Sequence, residues 1–313
     1  MTRVERFQPG TKVSDWASGV VTAPPTYVFP QGGFSGGGNV ASGTGNSIEK
    51  MTFDTETSAV IAATLSFTAT WLAALPNSGT AGYTRNGSNL NKILYATETN
   101  GSISNASSTN NYLAGAGNVG VAGYWYGGMN GGDNAEISKT VFATDASSTL
   151  SATLAASRRG TSALTNDGTA GYSAGGSCSS WNCTVIDKLT YSNDTRSTIS
   201  ATLDQGMNDI AGVSNKGSAG YHTAGTSNTS AIEKLTFSNE TSTAISATLS
   251  TSVTFRGEFE WQANAGYITG GHSGTVTTID KLTFSGEAAS TVSSGLTVGR
   301  SMHAGHGNSG GSY

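Results

Sequence analysis

The stretch Ile186-Asp-Lys-Leu-Thr-Tyr191 decides the reading of this chain, because it comes back five more times. It stands as Ile48-Glu-Lys-Met-Thr-Phe53, Leu90-Asn-Lys-Ile-Leu-Tyr95, Ile137-Ser-Lys-Thr-Val-Phe142, Ile232-Glu-Lys-Leu-Thr-Phe237 and Ile279-Asp-Lys-Leu-Thr-Phe284. The central lysines are Lys50, Lys92, Lys139, Lys188, Lys234 and Lys281, spaced by 42, 47, 49, 46 and 47 residues. A fixed period in this range is the mark of a repeat architecture.

Each copy has the same neighbours. Upstream lies a small-residue segment such as Asp209-Ile-Ala-Gly-Val-Ser214. A hairpin signal follows it, as in Asn77-Ser-Gly, Asn118-Val-Gly, Asn166-Asp-Gly and Asn215-Lys-Gly. Then comes Ala-Gly-Tyr running toward Gly-Gly, for example Tyr172 to Gly175-Gly176. Downstream, a polar turn such as Asn239-Glu-Thr-Ser242 leads into a last segment, Thr243-Ala-Ile-Ser-Ala-Thr-Leu249. Every segment is short, apolar or β-branched, and bounded by turn residues, which is strand behaviour. Four short antiparallel strands per period of roughly 45 residues is the unit of a propeller blade. The expected fold is therefore all-β, a six-bladed β-propeller over residues 27–313, preceded by an extended arm over residues 1–26. The second strand of the first blade is expected at Tyr27–Gly33. The segment Gly299–Asn308 is expected to complete that blade and close the ring, which removes two sheet edges. A seventh blade would need residues 1–26, which are too few.

The composition agrees with this. Of 313 residues 43 are Gly and only 12% are charged, with a formal net charge of −4. Disordered chains lack regularly spaced aromatic and β-branched residues, and this chain has them. No Lys/Arg run argues for nucleic acid. No apolar run is long enough to span a membrane, and the first residues carry no apolar segment of a secretory signal. If a protein of this kind reaches the outside, it is expected to do so by lysis or by assembly into a particle. Cys178 and Cys183 lack the partners of a zinc site and read as a small loop, disulfide-closed if oxidised.

These elements resemble the kelch repeat. Arg300-Ser-Met-His303, Tyr267-Ile-Thr-Gly-Gly271, Asp280-Lys-Leu-Thr-Phe284 and Ala247-Thr-Leu249 look like its four strands. The kelch fourth-strand Trp is missing. The near-identical copies are also similar to virion-associated proteins of tailed bacteriophages, particularly those of aquatic hosts. That resemblance implies a virion structural or accessory protein, such as a fibre, baseplate, neck or capsid-decoration component.

Identical features in six copies are what a structural requirement produces. The lysines read as inter-blade ion pairs and the tyrosines as packing. Function is expected where the copies differ, in the loops on one face of the disc: Gly32–Asn46, Trp125–Asn134, Ser177–Cys183, Gly225–Ser230 and Gly271–Thr277, with the loops carrying Arg158, Arg159 and Arg256. Trp125, Tyr126 and Trp181 are expected to be exposed there, and with the arginines they form the candidate ligand-binding set, suited to sugar rings or protein contacts. His303 and His306, three apart on a strand, point to opposite faces, which disfavours shared metal ligation. A copper oxidase of kelch type needs Tyr, Cys and two His around its metal, and no such grouping is readable. The expectation is a non-enzyme with no cofactor and no metal. Its expected partners are other virion proteins, held by the arm, and a host-surface glycan. The alternatives are a free carbohydrate-binding lectin-like module and, behind it, a kelch-type enzyme.

Overall fold

The computed structural model describes residues 31–103, 107–179, 181–223, 225, 230–272 and 275–309. The arm expected over residues 1–26 lies outside them. The fold is all-β and propeller-like, with no helix among the described residues. Six antiparallel four-stranded sheets follow the sequence period. Sheet two is Ala73–Asn77, Ala81–Asn86, Asn89–Leu94 and Thr99–Ile103. Sheet three is Ala114–Asn118, Ala122–Tyr126, Glu136–Val141 and Ala146–Thr153. Sheet four is Ser162–Asn166, Ala170–Ala174, Val185–Thr190 and Thr195–Thr202. Sheet five is Ala211–Asn215, Ala219–Thr223, Ala231–Thr236 and Thr241–Thr248, and sheet six is Gly257–Trp261, Ala265–Thr269, Ile279–Thr283 and Ala288–Thr291.

Sheet one draws on both ends of the described chain: Ala304–Asn308 pairs with Gly32–Gly36, followed by Ser47–Thr52 and Thr57–Thr64. Its second strand therefore starts at Gly32 and runs past the expected Gly33 end. Phe34 faces Lys50 as Tyr83 faces Lys92, so Gly33-Phe34 is the Ala-Gly-Tyr equivalent here. Two small accessory sheets sit in loops. One pairs Ser177–Cys178 with Trp181–Asn182; the other joins Arg300–Ser301, Asn39–Val40 and Gly43–Thr44.

One joint recurs between successive sheets. The second-strand aromatic stacks on the aromatic that follows the third strand of the next sheet, as in Tyr124 on Tyr191 at 4.8 Å and Tyr172 on Phe237 at 5.3 Å. The repeat lysine reaches an acid in the next sheet's outer turn: Lys50–Glu98, Lys92–Asp145, Lys139–Asp194, Lys188–Glu240, Lys234–Glu287 and Lys281–Glu56. The tyrosine hydroxyl donates to the same acid, as Tyr83 does to Asp145 at 2.7 Å. These pairs are partly exposed, so each is worth under about 1 kcal/mol; their value is in fixing how one sheet meets the next. The acids hold a left-handed backbone, with φ of 49–55°.

The glycine of Ala-Gly-Tyr has a packing cause. Leu75, Leu164, Val213, Phe259 and His306, each at the middle of a first strand, fill the space above Gly123, Gly220, Gly266, Gly33 and Gly82 of the next sheet. A Cβ built on Gly82 would lie 2.1 Å from the His306 ring. Sheet three has only Ala116 at its first-strand centre, and there the Tyr126 hydroxyl fills the space above Gly171 instead.

Candidate functional site: the mouth of the loop face

The third-strand residue after Ile or Leu anchors the loops of one face. Asp187 accepts from the Ala155 amide at 3.0 Å, Glu233 from Asp204 at 2.9 Å and Asn91 from Ser66 at 2.8 Å. Each anchored loop leads into the first strand of its next sheet. Two residues before that strand stands one residue per repeat: Trp71, Tyr112, Gly160, Asp209, Phe255 and Met302. All six lie in the left-handed region, with φ of 53–60°.

Main-chain bonds account for this conformation. The amide of Tyr112 donates to the Trp71 carbonyl at 3.1 Å, Gly160 to Tyr112 at 3.2 Å and Asp209 to Gly160 at 2.8 Å. Met302 donates to Phe255 at 2.9 Å, and Leu72 to Met302 at 3.3 Å. These bonds tie the six positions together from loop to loop. Glycine adopts such a backbone at no steric cost, whereas bulky residues there are true outliers costing about 1–3 kcal/mol each. Only Gly160 takes the cheap option. The other five positions carry side chains that the backbone penalises.

Those side chains form a floor. The Trp71 and Tyr112 rings stack at 5.6 Å, the Tyr112 and Phe255 rings lie 6.1 Å apart, and His272 meets Phe255 edge-on at 5.8 Å. Above the floor is an open recess of about 580 Å³, lined by Trp71, Tyr112, Phe255, Met302 and Met129 on one side. Arg159, Ser177, Asn182, Asn208 and Asp209 line the other. Arg159 is paired with Asp133, and Asn208 donates to Asn182 at 2.8 Å. The Cys178–Cys183 disulfide ties the hairpin that carries Ser177 and Asn182. Burial pushes the Asp209 carboxyl up to about 7. Below the floor is a narrow chamber of about 50 Å³, bordered by Ala74, Gly115, Gly305 and Glu258. Glu258 and Glu260 occupy first-strand positions where the other sheets have Ala, Gly, Pro, Thr or Ser. Burial, and for Glu258 the neighbouring Glu260 charge, raises them to about 8 and about 7.

The residues singled out from the sequence are distributed differently. Trp125 and Tyr126, expected on a loop, belong to the second strand of sheet three and are fully buried. Trp125 packs between sheets two and three and donates to Thr140 at 3.0 Å. Arg158 and Arg256 have no exposed side-chain surface; they pair with Asp187 at 2.6 Å and Asp280 at 2.7 Å beneath the face. Arg300 is buried in the same way, beside Glu49. Trp181 pairs by its backbone with Cys178. Of the candidate arginines, only Arg159 reaches the recess. Trp71, Tyr112, Asp209, Phe255 and Met302 were not singled out. They occupy one repeat column, two residues before each first strand, whose immediate neighbours vary as the column itself does.

The histidines serve packing. His306 lies 3.0 Å from the Tyr95 hydroxyl, His303 2.8 Å from Thr269 Oγ1 and His222 2.7 Å from Ser162 Oγ. Burial lowers His222 and His306 to about 3 and His303 well below its ordinary value. Among the described residues no group of three or more His, Cys, Asp or Glu is arranged to hold a metal ion, and no helix is long and apolar enough to cross a membrane. No family model matches this chain, and no curated protein matches it in sequence.

Proposed function

We propose that the six sheets are the blades of a closed, kelch-like, six-bladed propeller in which Ala304–Asn308 completes the first blade, and that the protein binds a partner through its loop face without catalysing a reaction. The order of the joints supports closure: Lys281 and Tyr267 of sheet six reach Glu56 of sheet one as the other pairs reach their neighbours. The single observation that carries the binding reading is the mouth. Five of six equivalent positions hold Trp, Tyr, Asp, Phe and Met in a backbone that favours glycine. Five such positions gathered around one recess point to function, and a recess of this size falls in the range of ligand sites, about 300–1,000 Å³.

The biological setting that fits best is a tailed-phage virion, with the protein as a fibre, baseplate, neck or capsid-decoration component. Residues 1–26 would dock on other virion proteins and the loop face would meet the host surface. Support comes from the repeat's resemblance to such proteins. Density-gradient fractionation of a lysate, probed with an antibody, tests the setting. Banding with intact particles is expected; recovery only in soluble fractions would overturn the virion assignment and leave the mouth as a site on a free binding protein.

A further inference from the structure

We propose that the chain stacks head to tail, the recess of one copy taking Trp16 from a second copy whose hairpin turns face it. This rests on the reading of the loop face as a binding surface and names its partner as another copy of this chain.

The recess sets the chemistry of the occupant. Its floor is Trp71, Tyr112, Phe255 and Met302, with Met129 beside them. The polar groups of the rim already have partners within the protein, Arg159 with Asp133 and Asn208 with Asn182. The stacked rings offer an apolar surface with no hydrogen bond left to make, so a large apolar side chain fits best. Methionines adapt to the outline of such a guest, and Trp is among the commonest anchors of protein contacts.

The ends of the described chain say where such a side chain comes from. The Gln31 carbonyl accepts from the Phe53 amide at 3.2 Å, as Thr80 accepts from Tyr95 at 3.1 Å and Val121 from Phe142 at 3.1 Å. Gln31 therefore sits at the level of the hairpin turns. At the other end the Ser309 amide donates to Ser78, in the turn of sheet two, at 3.1 Å. Both ends lie on the turn face, opposite the recess. Residues 1–30 precede Gln31 and hold Phe7, Trp16, Tyr27 and Phe29. Tyr27 and Phe29 lie within four residues of Gln31, a span of about 13 Å at most, too short to cross from a second strand to a neighbour's axis and enter. Trp16 has about 50 Å of chain and small neighbours in Ala17, Ser18 and Gly19. The recess of its own chain lies around the rim, at roughly that full extension when counted in strand spacings and rise. The recess of a disc stacked on the turn face lies well inside it.

The turn face is also prepared for contact. Of the three large hydrophobic side chains exposed among the described residues, Leu94 and Val121 stand at its turns. Where sheet two has Leu94, sheet five has Thr236. The loops of a stacked neighbour would cover both apolar side chains. A contact between two different faces, repeated along the disc axis, does not close on itself and gives an open stack. One end of the stack keeps a free recess and the other a free Trp16 segment.

Sedimentation velocity of the full chain across a wide concentration range is the first measurement. Concentration-dependent oligomers without a fixed upper size are expected. Trp16→Ala and Phe255→Gly are each expected to weaken assembly tenfold or more. Glycine suits the left-handed backbone at Phe255, and circular dichroism verifies that both variants fold. Mixed together, the two variants are expected to stop at a dimer, because one lends only its recess and the other only its Trp16. By calorimetry, a synthetic peptide of residues 10–22 is expected to bind the Trp16→Ala chain and not the chain carrying both substitutions. A monomer at every concentration overturns the proposal, as does assembly that either single variant leaves intact. Retention of labelled full-length protein on cells that the particles infect separates the two levels. If the chain is monomeric but Phe255→Gly abolishes retention, stacking fails and the loop-face reading survives. If neither responds, both fail.

Discussion

Replacing Glu258 and Glu260 together by Gln removes the two carboxylates that first strand six places where the other first strands have small or uncharged residues. Both acids hold their protons more tightly in the folded chain than in the unfolded one, so the fold favours their neutral forms. The resulting penalty is absent below the unfolded value near 4.5. It grows as pH rises toward 8 and is complete above that. At 1.36 kcal/mol per tenfold change in proton affinity, the shifts to about 8 and about 7 set a ceiling of about 8 kcal/mol. The two side chains titrate as one system and are only half-buried, so about 3 kcal/mol is the expected cost in wild type at pH 8.5. Guanidinium unfolding at pH 4.5 and pH 8.5 measures it. The double variant is expected to match wild type at the lower pH and to exceed it by about 3 kcal/mol at the higher. The buried histidines, which lose stability as pH falls below their unfolded value near 6.5, are common to both proteins and drop out of the difference. A gap that is equal at the two pH values, or a variant weaker than wild type at pH 8.5, would refute the placement of these carboxylates in poorly solvated surroundings.

Arg158→Ala leaves the buried Asp187 charge with only the longer 3.6 Å pair to Arg196 and is expected to cost about 3 kcal/mol by denaturant unfolding, with Asp187→Asn added to it restoring part of the loss. At the mouth, Phe255→Gly is expected to be more stable than Phe255→Ala by about 1 kcal/mol, the reverse of the usual order, because the site is left-handed; thermal unfolding of the pair reads the sign. Serine at both Cys178 and Cys183 is expected to cost about 2 kcal/mol by the loop-closure relation and to weaken ligand binding at the wall that the bridge steadies. Calorimetric titration of the serine variant checks the second part.

The joints were legible in the sequence because each recurs. Six lysines at one offset imply one structural task, and six ion pairs to the next sheet perform it. The disulfide was legible as an option, since two cysteines five apart leave few alternatives. The mouth was not, because what marks it is a backbone conformation, and Trp, Tyr, Asp, Phe and Met share no pattern a periodicity scan detects. Trp125 and Tyr126 misled for a packing reason. Aromatics beside Gly127-Gly128 look like loop residues, yet Ala116 is too small to reach sheet four, and Tyr126 moves in to replace it. The arginines misled because burial depends on an acid about 30 residues away, as Arg158 and Asp187 illustrate.

The separation of joint from mouth has an evolutionary consequence. Lysine, tyrosine and turn acid hold the sheets together without touching the recess, and the mouth draws one residue from each repeat without entering the joints. Recognition can therefore drift one codon at a time while the frame is conserved. Recombination between near-identical repeats would reshuffle mouth residues among equivalent seats, each of which accepts a new side chain at the same backbone cost. Such a chain can follow a changing target without refolding its scaffold, and the same six seats give a protein engineer a compact library.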